Sequence, residues 1–70
     1  MSGSWQSALR DLCAEKGLGR PIYDTQYKDS IFLCILEVDD ETFTGLSTVS
    51  SHRANEEAAC KAYNYVKKTY

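Results

Sequence analysis

The chain has 70 residues, enough for one small domain with a thin hydrophobic core and a modest margin of stability. Its eight lysines and arginines are outnumbered by ten aspartates and glutamates, so the net charge is −2. A small acidic chain of this kind is a poor candidate for an enzyme with a deep substrate pocket. It also lacks the overall positive charge that is typical of nucleic-acid-binding modules.

Three cysteines, Cys13, Cys34 and Cys60, and one histidine, His52, belong to the residue types that most often bind metals. Their spacing fits no zinc ribbon or finger, and an odd number of cysteines cannot all form disulfides within one chain. No segment is apolar over a length that would span a membrane. We therefore expect reduced cysteines, no metal or cofactor, no catalytic centre, and an intracellular location in the cytoplasm or nucleus.

The first predicted element is a helix from Trp5 to about Lys16. Within it Leu9, Leu12 and Cys13 fall on one stripe at helical spacing. The glycines that follow are predicted to end the helix, and the proline after them favours an extended backbone. The four residues before the helix, Met-Ser-Gly-Ser at 1–4, are typical of an expression-vector remnant, so the predicted domain is 5–70.

The middle of the chain predicts three strands joined by polar turns. The segment 31–38 gives the strongest signal, because it is rich in β-branched and aromatic residues. The strands are placed at 22–27, 31–38 and 42–44, with turns at 28–30 and 39–41 and with Gly45 ending the third strand. Such short connections leave no room for parallel crossovers, so an antiparallel sheet is predicted.

A second helix is predicted at 51–68, with Ser50 or Ser51 as its N-cap. On one face small residues recur every four positions, which lets the helix approach a neighbour closely: Ala54, Ala58 and Ala62, followed by Val66. The predicted fold is therefore α+β, with the element order α-β-β-β-α. Both helices are expected to pack on one face of a three-stranded antiparallel sheet.

Two segments carry a resemblance to a known family. Residues 9–23 read LRDLCAEKGLGRPIY and residues 50–63 read SSHRANEEAACKAY. They resemble the opening helix, with its Pro-x-Tyr entry into strand one, and the closing helix of the double-stranded-RNA-binding domain (dsRBD) family. The likeness extends from Leu9 to Val66. It implies the dsRBD fold and a duplex-RNA ligand recognised by shape across two minor grooves and the major groove between them.

The resemblance also implies where RNA would bind. The family contacts RNA through three regions, and all three differ in this chain. In the first helix the family's minor-groove Glu falls on Asp11, and a frequent Gln falls on Glu15. The family's longer loop between strands one and two carries a Gly-Pro-x-His motif. Here that loop is shorter, the motif is absent, and Lys28 is its only base.

The third family region, the start of the last helix, differs most. The family reads Lys-Lys-x-Ala-Lys there, and this chain reads Ser-His-Arg-Ala-Asn at 51–55, so all three lysines of the phosphate clamp are missing. Phosphate contacts supply much of the affinity for a duplex, so weak RNA binding is predicted. The residues that the resemblance implies for RNA contact are Gln6, Asp11, Lys28, His52, Arg53 and Lys61.

The strongest strand is apolar on both faces, which is unusual for a sheet covered by helices on one side only. The family pattern sends four residues to the core: Phe32, Cys34, Leu36 and Val38. Ile31, Leu33 and Ile35 must then point away from it. Scattered surface aliphatics are normal, but three on one strand are typical of a contact surface.

Together these features predict a non-catalytic dsRBD-fold recognition module of an RNA-processing or RNA-silencing protein. Its RNA surface is weakened, and Ile31, Leu33 and Ile35 contact another protein or a second copy of the chain. The alternative is a genuine, sequence-independent binder of double-stranded RNA. A small enzyme is a third class of function, for which no catalytic constellation is present in the sequence.

Overall fold

The computed structural model describes residues 4–70 as two helices and three strands. The elements are α1 (Trp5–Glu15), β1 (Ile22–Lys28), β2 (Ile31–Val38), β3 (Glu41–Ser47) and α2 (Ser51–Thr69). The strands form one antiparallel sheet in the order β1-β2-β3. Helix α2 packs across the three strands and α1 packs against α2. The predicted α+β class and element order are confirmed.

The core lies between the helices and one face of the sheet. It joins α1, β2 and α2 through ten residues that are at most 2% exposed: Leu9, Cys13, Cys34, Leu36, Val38, Ala54, Ala58, Ala59, Ala62 and Val66. Phe32 is half-buried and packs against this cluster. The predicted core face of the central strand is therefore the observed one.

Both hairpins turn through two residues, one fewer than the sequence predicts. The turn residues are Asp29 and Ser30, then Asp39 and Asp40, and all four have φ between 49° and 69°. Positive φ at both central positions matches the right-handed twist of the flanking strands, and short polar residues tolerate it best. Lys28 therefore belongs to β1, and the first residue after the second turn belongs to β3.

The prediction that β3 ends at Gly45 is wrong. The strand continues to Ser47, which pairs with Phe32, while Gly45 pairs with Cys34. A Cβ atom on Gly45 would collide with the carbonyl oxygen of Ala54 and lie 2.7 Å from the backbone nitrogen of Ala58. The glycine therefore marks the place where α2 crosses β3 closely, instead of the end of the strand.

Serine side chains cap both helices. The Ser50 hydroxyl accepts a hydrogen bond from the Arg53 N–H at 3.1 Å, so Ser50 is the N-cap of α2. The Ser4 hydroxyl accepts one from the Ser7 N–H at 3.0 Å and caps α1, although the sequence places residues 1–4 outside the domain. The rest of that predicted vector remnant, 1–3, lies outside the described residues. Between residues 4 and 70 no helix combines the length and apolarity that a membrane crossing requires.

Candidate interaction surfaces

The N-terminal turn of α1 meets α2 at Glu56, which lies in the second turn of α2. Its Oε1 accepts a hydrogen bond from the Trp5 N–H at 2.8 Å, and its Oε2 accepts one from the Gln6 N–H at 3.1 Å. The side-chain Nε2 of Gln6 donates a third bond to Oε2 at 3.0 Å. A carboxylate of α2 thus binds the free N–H groups at the positive end of α1. We call this region, with the first turns of α1 and α2, the helix-start surface.

These contacts determine the charge of Glu56. Burial alone raises the pKa of a carboxyl group, but the hydrogen bonds from Trp5 and Gln6 outweigh it, and the nearby His52 acts in the same direction. The pKa of Glu56 therefore lies below its ordinary value. The helix-start surface carries a fixed negative charge at neutral pH.

Replacing Glu56 by glutamine is expected to lower the free energy of unfolding by about 1–3 kcal/mol at neutral pH, since charge-assisted bonds to α1 are lost. A lowered folded-state pKa contributes stability above the unfolded value, and this contribution disappears as pH falls through the folded value. The gap between wild type and Glu56→Gln should therefore close on acidification. Urea unfolding at neutral pH and below the folded-state pKa measures the gap.

Glu37→Gln is the matched control, because Glu37 is an exposed carboxylate on the other side of the sheet. It should change stability little at either pH. If the Glu56→Gln variant is as stable as this control at neutral pH, the hydrogen bonds that Glu56 accepts from the start of α1 do not stabilise the fold.

Only some of the residues predicted to bind RNA come together. Gln6 Nε2 lies 3.5 Å from His52 Nδ1, and both border Glu56. Arg53 follows on the exposed start of α2, and Lys28 precedes the exposed turn between β1 and β2. The amide oxygen of Asn55, at a clamp position of the family, accepts a 2.6 Å hydrogen bond from the Thr25 hydroxyl. The clamp segment thus presents one arginine and one histidine beside a carboxylate.

Two predicted residues lie apart from this group. Lys61 is nine residues along α2 from His52, about 13 Å at the helical rise, and its Nζ donates to the Thr44 carbonyl oxygen at 2.8 Å. The Asp11 Oδ1 lies 3.6 Å from the Arg10 Nε, with both side chains largely exposed. An exposed pair of this kind contributes little to stability.

Sequence reasoning missed Arg10 and Arg20 as candidate contacts. With Gln6 and Tyr23, and with Ser7 and Pro21, they line a cavity of about 300 Å³ between α1 and the start of β1. Burial is the main cause that raises the pKa of Tyr23 to about 12, so its hydroxyl stays neutral. Both arginines lie within the segment 9–23 that resembles the family, but ten residues separate them, so only the folded arrangement of α1 and the start of β1 reveals the cluster.

The side of the sheet turned away from the helices carries the predicted interface residues. Leu33 pairs with Gln26 and Leu46, and Ile35 pairs with Asp24 and Thr44. Ile31 is 40% exposed, while Leu33 and Ile35 are half-buried because neighbouring strands partly cover them. We call this side, defined by residues 22, 24, 26 and 28 of β1, 31, 33, 35 and 37 of β2, and 42, 44 and 46 of β3, the open face.

The apolar part of the open face is larger than predicted. Leu46 is 59% exposed, and Val49, just beyond β3, is 65% exposed. Together with Ile31, and with Arg53 and Glu57 of α2, they line a shallow depression of about 640 Å³ beside the start of α2. Ending β3 at Gly45 concealed Leu46, because the alternation of Thr42, Thr44 and Leu46 appears only in the full strand.

The cysteines occupy apolar or partly covered positions. Cys13 and Cys34 are buried, Cys60 is half-buried, and all three thiols are free. Burial raises the pKa of both Cys13 and Cys34, which makes these thiols poor nucleophiles. Across residues 4–70 no three His, Cys, Asp or Glu side chains converge in a way that would hold a metal ion.

The fold is that of a dsRBD. The structure is similar to the crystal structure of the dsRBD domain of a tRNA-dihydrouridine(20) synthase, with a TM-score of 0.73 and 23% sequence identity. The similarity covers 81% of this chain and 64% of that chain. No family model matches the sequence, and no curated protein matches it. This likeness establishes the fold of the chain.

Proposed function

We propose that this chain is a non-catalytic dsRBD-fold recognition module of an RNA-processing or RNA-silencing protein, acting in the cytoplasm or nucleus. It contacts a protein, either a different one or a second copy of itself, through Ile31, Leu33 and Ile35, and it binds duplex RNA weakly. The observation that carries the proposal is the set of apolar side chains on the open face. Ile31 is exposed there, and Leu33 and Ile35 are only half-buried.

Weak RNA binding follows from the charges on the helix-start surface. A duplex is bound mainly by lysines and arginines that replace counterions on phosphates. Here Glu56 is ionised and Gln6 is hydrogen-bonded to it, so that side chain must break a bond before it reaches a ribose hydroxyl. Lys61 is bonded to the β3 backbone, away from the clamp. Arg53 remains exposed on the helix-start surface, whereas Lys28 is exposed on the open face, away from the helices.

Protein contact follows from the apolar side chains that the open face exposes. The exposed side chains of Ile22, Ile31, Leu46 and Val49 surround the half-covered Leu33 and Ile35. A contiguous apolar surface of this kind favours a protein partner, because burying it removes apolar area from water. Polar Asp24, Gln26 and Thr44 on the neighbouring strands supply a hydrogen-bonding rim.

The alternative function is sequence-independent binding of double-stranded RNA. The dsRBD fold favours it, as does the convergence of Arg10 and Arg20 on one cavity beside Gln6. In that function Asp11, Lys28, His52, Arg53 and Lys61 would complete the contacts.

Restoring part of the clamp tests the proposal. The double change Ser51→Lys/His52→Lys places two lysines at clamp positions and is expected to tighten duplex-RNA binding about tenfold at low salt. Each new phosphate contact should add about one unit to the salt slope. Fluorescence polarisation with one duplex at several salt concentrations gives both quantities.

Gln26→Lys/Thr42→Lys adds the same two charges to exposed positions of the open face and is the control. It should leave RNA affinity nearly unchanged. An equal gain from the control would mean that net charge alone limits binding. No gain from the clamp variant would mean that the missing lysines are not the cause of weak binding.

A further inference from the structure

The two edges of the sheet differ in what covers their backbone groups. On β3 the Leu46 N–H donates to the Glu57 carboxylate at 2.6 Å, and the Thr44 carbonyl oxygen accepts from Lys61 at 2.8 Å. Side chains of α2 therefore occupy positions that an added strand would need. Along β1, no side chain within residues 4–70 forms a hydrogen bond with the strand's backbone. The seven-residue β1 is the accessible edge of the sheet.

The hairpin geometry determines which β1 groups face outward. Lys28 and Ile31 flank a two-residue turn, and such a flanking pair exchanges both of its backbone hydrogen bonds. Alternate residues of β1 then bond to β2, which leaves the N–H and C=O groups of Tyr23, Thr25 and Tyr27 at the edge. The same rule applied to β3 places Thr44 and Leu46 outward, in agreement with their bonds to α2.

We propose that β1 pairs antiparallel with β1 of a second copy of this chain, with Gln26 opposite Gln26 of the second copy. This register places Asp24 of each copy opposite Lys28 of the other, on the open face. Both side chains are exposed, and neither has an ion-pair partner within residues 4–70. Opposite charges in directly paired positions stabilise antiparallel strands. The edge is therefore complementary to itself.

A second symmetric register that uses the outward groups centres on Thr25. It places Asp24 opposite Gln26 of the second copy and Lys28 opposite Ile22, so both charges lose their partners. The Gln26-centred register also keeps backbone pairing between Thr25 and Tyr27 of the two copies. A two-fold axis relates the copies, and their sheets join into one of six strands. The two open faces then lie side by side.

The pairing is tested by sedimentation equilibrium and by amide hydrogen exchange at increasing protein concentration. We expect a concentration-dependent dimer in which the N–H groups of Thr25 and Tyr27 exchange more slowly, since they become hydrogen-bonded. Lys28→Glu should weaken the dimer about tenfold or more, because two attractive pairs become repulsive. Asp24→Lys/Lys28→Glu should restore it, because the pairs become attractive again in the reversed sense.

Lys16→Glu, an equal charge change at the exposed end of α1, is the control and should leave the dimer unchanged. A chain that stays monomeric at the highest concentration overturns the proposal. So does a dimer that Lys16→Glu weakens as much as Lys28→Glu, or one that the charge swap does not restore. Contact through the open face depends on Leu33 and Ile35 and leaves the exchange of Thr25 and Tyr27 unchanged, so the failure of either proposal is recognised separately.

Discussion

Replacement of Gly45 by alanine is expected to destabilise the domain by about 3 kcal/mol, a large fraction of the stability of a 70-residue chain. The added Cβ would collide with the carbonyl oxygen of Ala54 and lie 2.7 Å from the backbone nitrogen of Ala58. Both are backbone atoms of α2, so no side chain can turn away to make room. The clash can be removed only if α2 moves away from β3. That movement would open the core, to which Ala58 and Ala62 belong.

Urea unfolding followed by circular dichroism measures this loss. Gly19→Ala is the matched control, because a Cβ at Gly19 meets no atom within 4 Å. The control should unfold at nearly the wild-type midpoint. If both variants unfold together, α2 is able to shift without cost, and the close crossing at Gly45 does not explain the glycine.

Substituting serine for both Leu33 and Ile35 is expected to weaken protein contact through the open face about 30-fold or more. Full burial of one such side chain contributes about 1.5–3 kcal/mol, and these two are already half-covered, so about 1 kcal/mol each remains for a partner. The fold should persist, because neither residue belongs to the buried cluster. Circular dichroism verifies this before binding is compared.

Light scattering measures self-association, and it is carried out in the Lys28→Glu background so that edge pairing is weakened equally in every variant compared. Quantitative capture of a protein partner supplies the second readout. Thr42→Ser/Thr44→Ser on the same face is the control and should behave as the parent. Equal association and equal capture by the Leu33→Ser/Ile35→Ser variant would exclude the open face as the contact surface.

Local sequence patterns were sufficient to predict the two helices and three strands and their order along the chain. The stripe of Leu9, Leu12 and Cys13 placed α1, and the apolar run 31–38 placed β2 at its observed ends. The alternation within β2 also identified its core face, because adjacent side chains of a strand point to opposite sides. These features depend on neighbours along the chain, which the sequence displays directly.

The features that the sequence did not predict depend on contacts between distant parts of the chain. A glycine after a short strand resembles a stop signal, and only the crossing of α2 shows why Gly45 lies inside β3. Glu56 contacts Gln6 across 50 residues, and Lys61 reaches the backbone of β3. No local pattern encodes such side-chain contacts. They nevertheless determine which polar residues of the helix-start surface remain free to bind a ligand.

The most direct test of the proposed function is a titration of the unmodified chain with double-stranded RNA at about 50 mM and about 150 mM salt. Because the helix-start surface has few lysines and arginines, we expect a dissociation constant of about 10–100 µM at the higher salt, within the range of non-specific binding. The affinity should depend only weakly on salt concentration. Submicromolar binding at the higher salt, with a slope that reports six or more phosphate contacts, would contradict it and establish the chain as a genuine duplex-RNA binder.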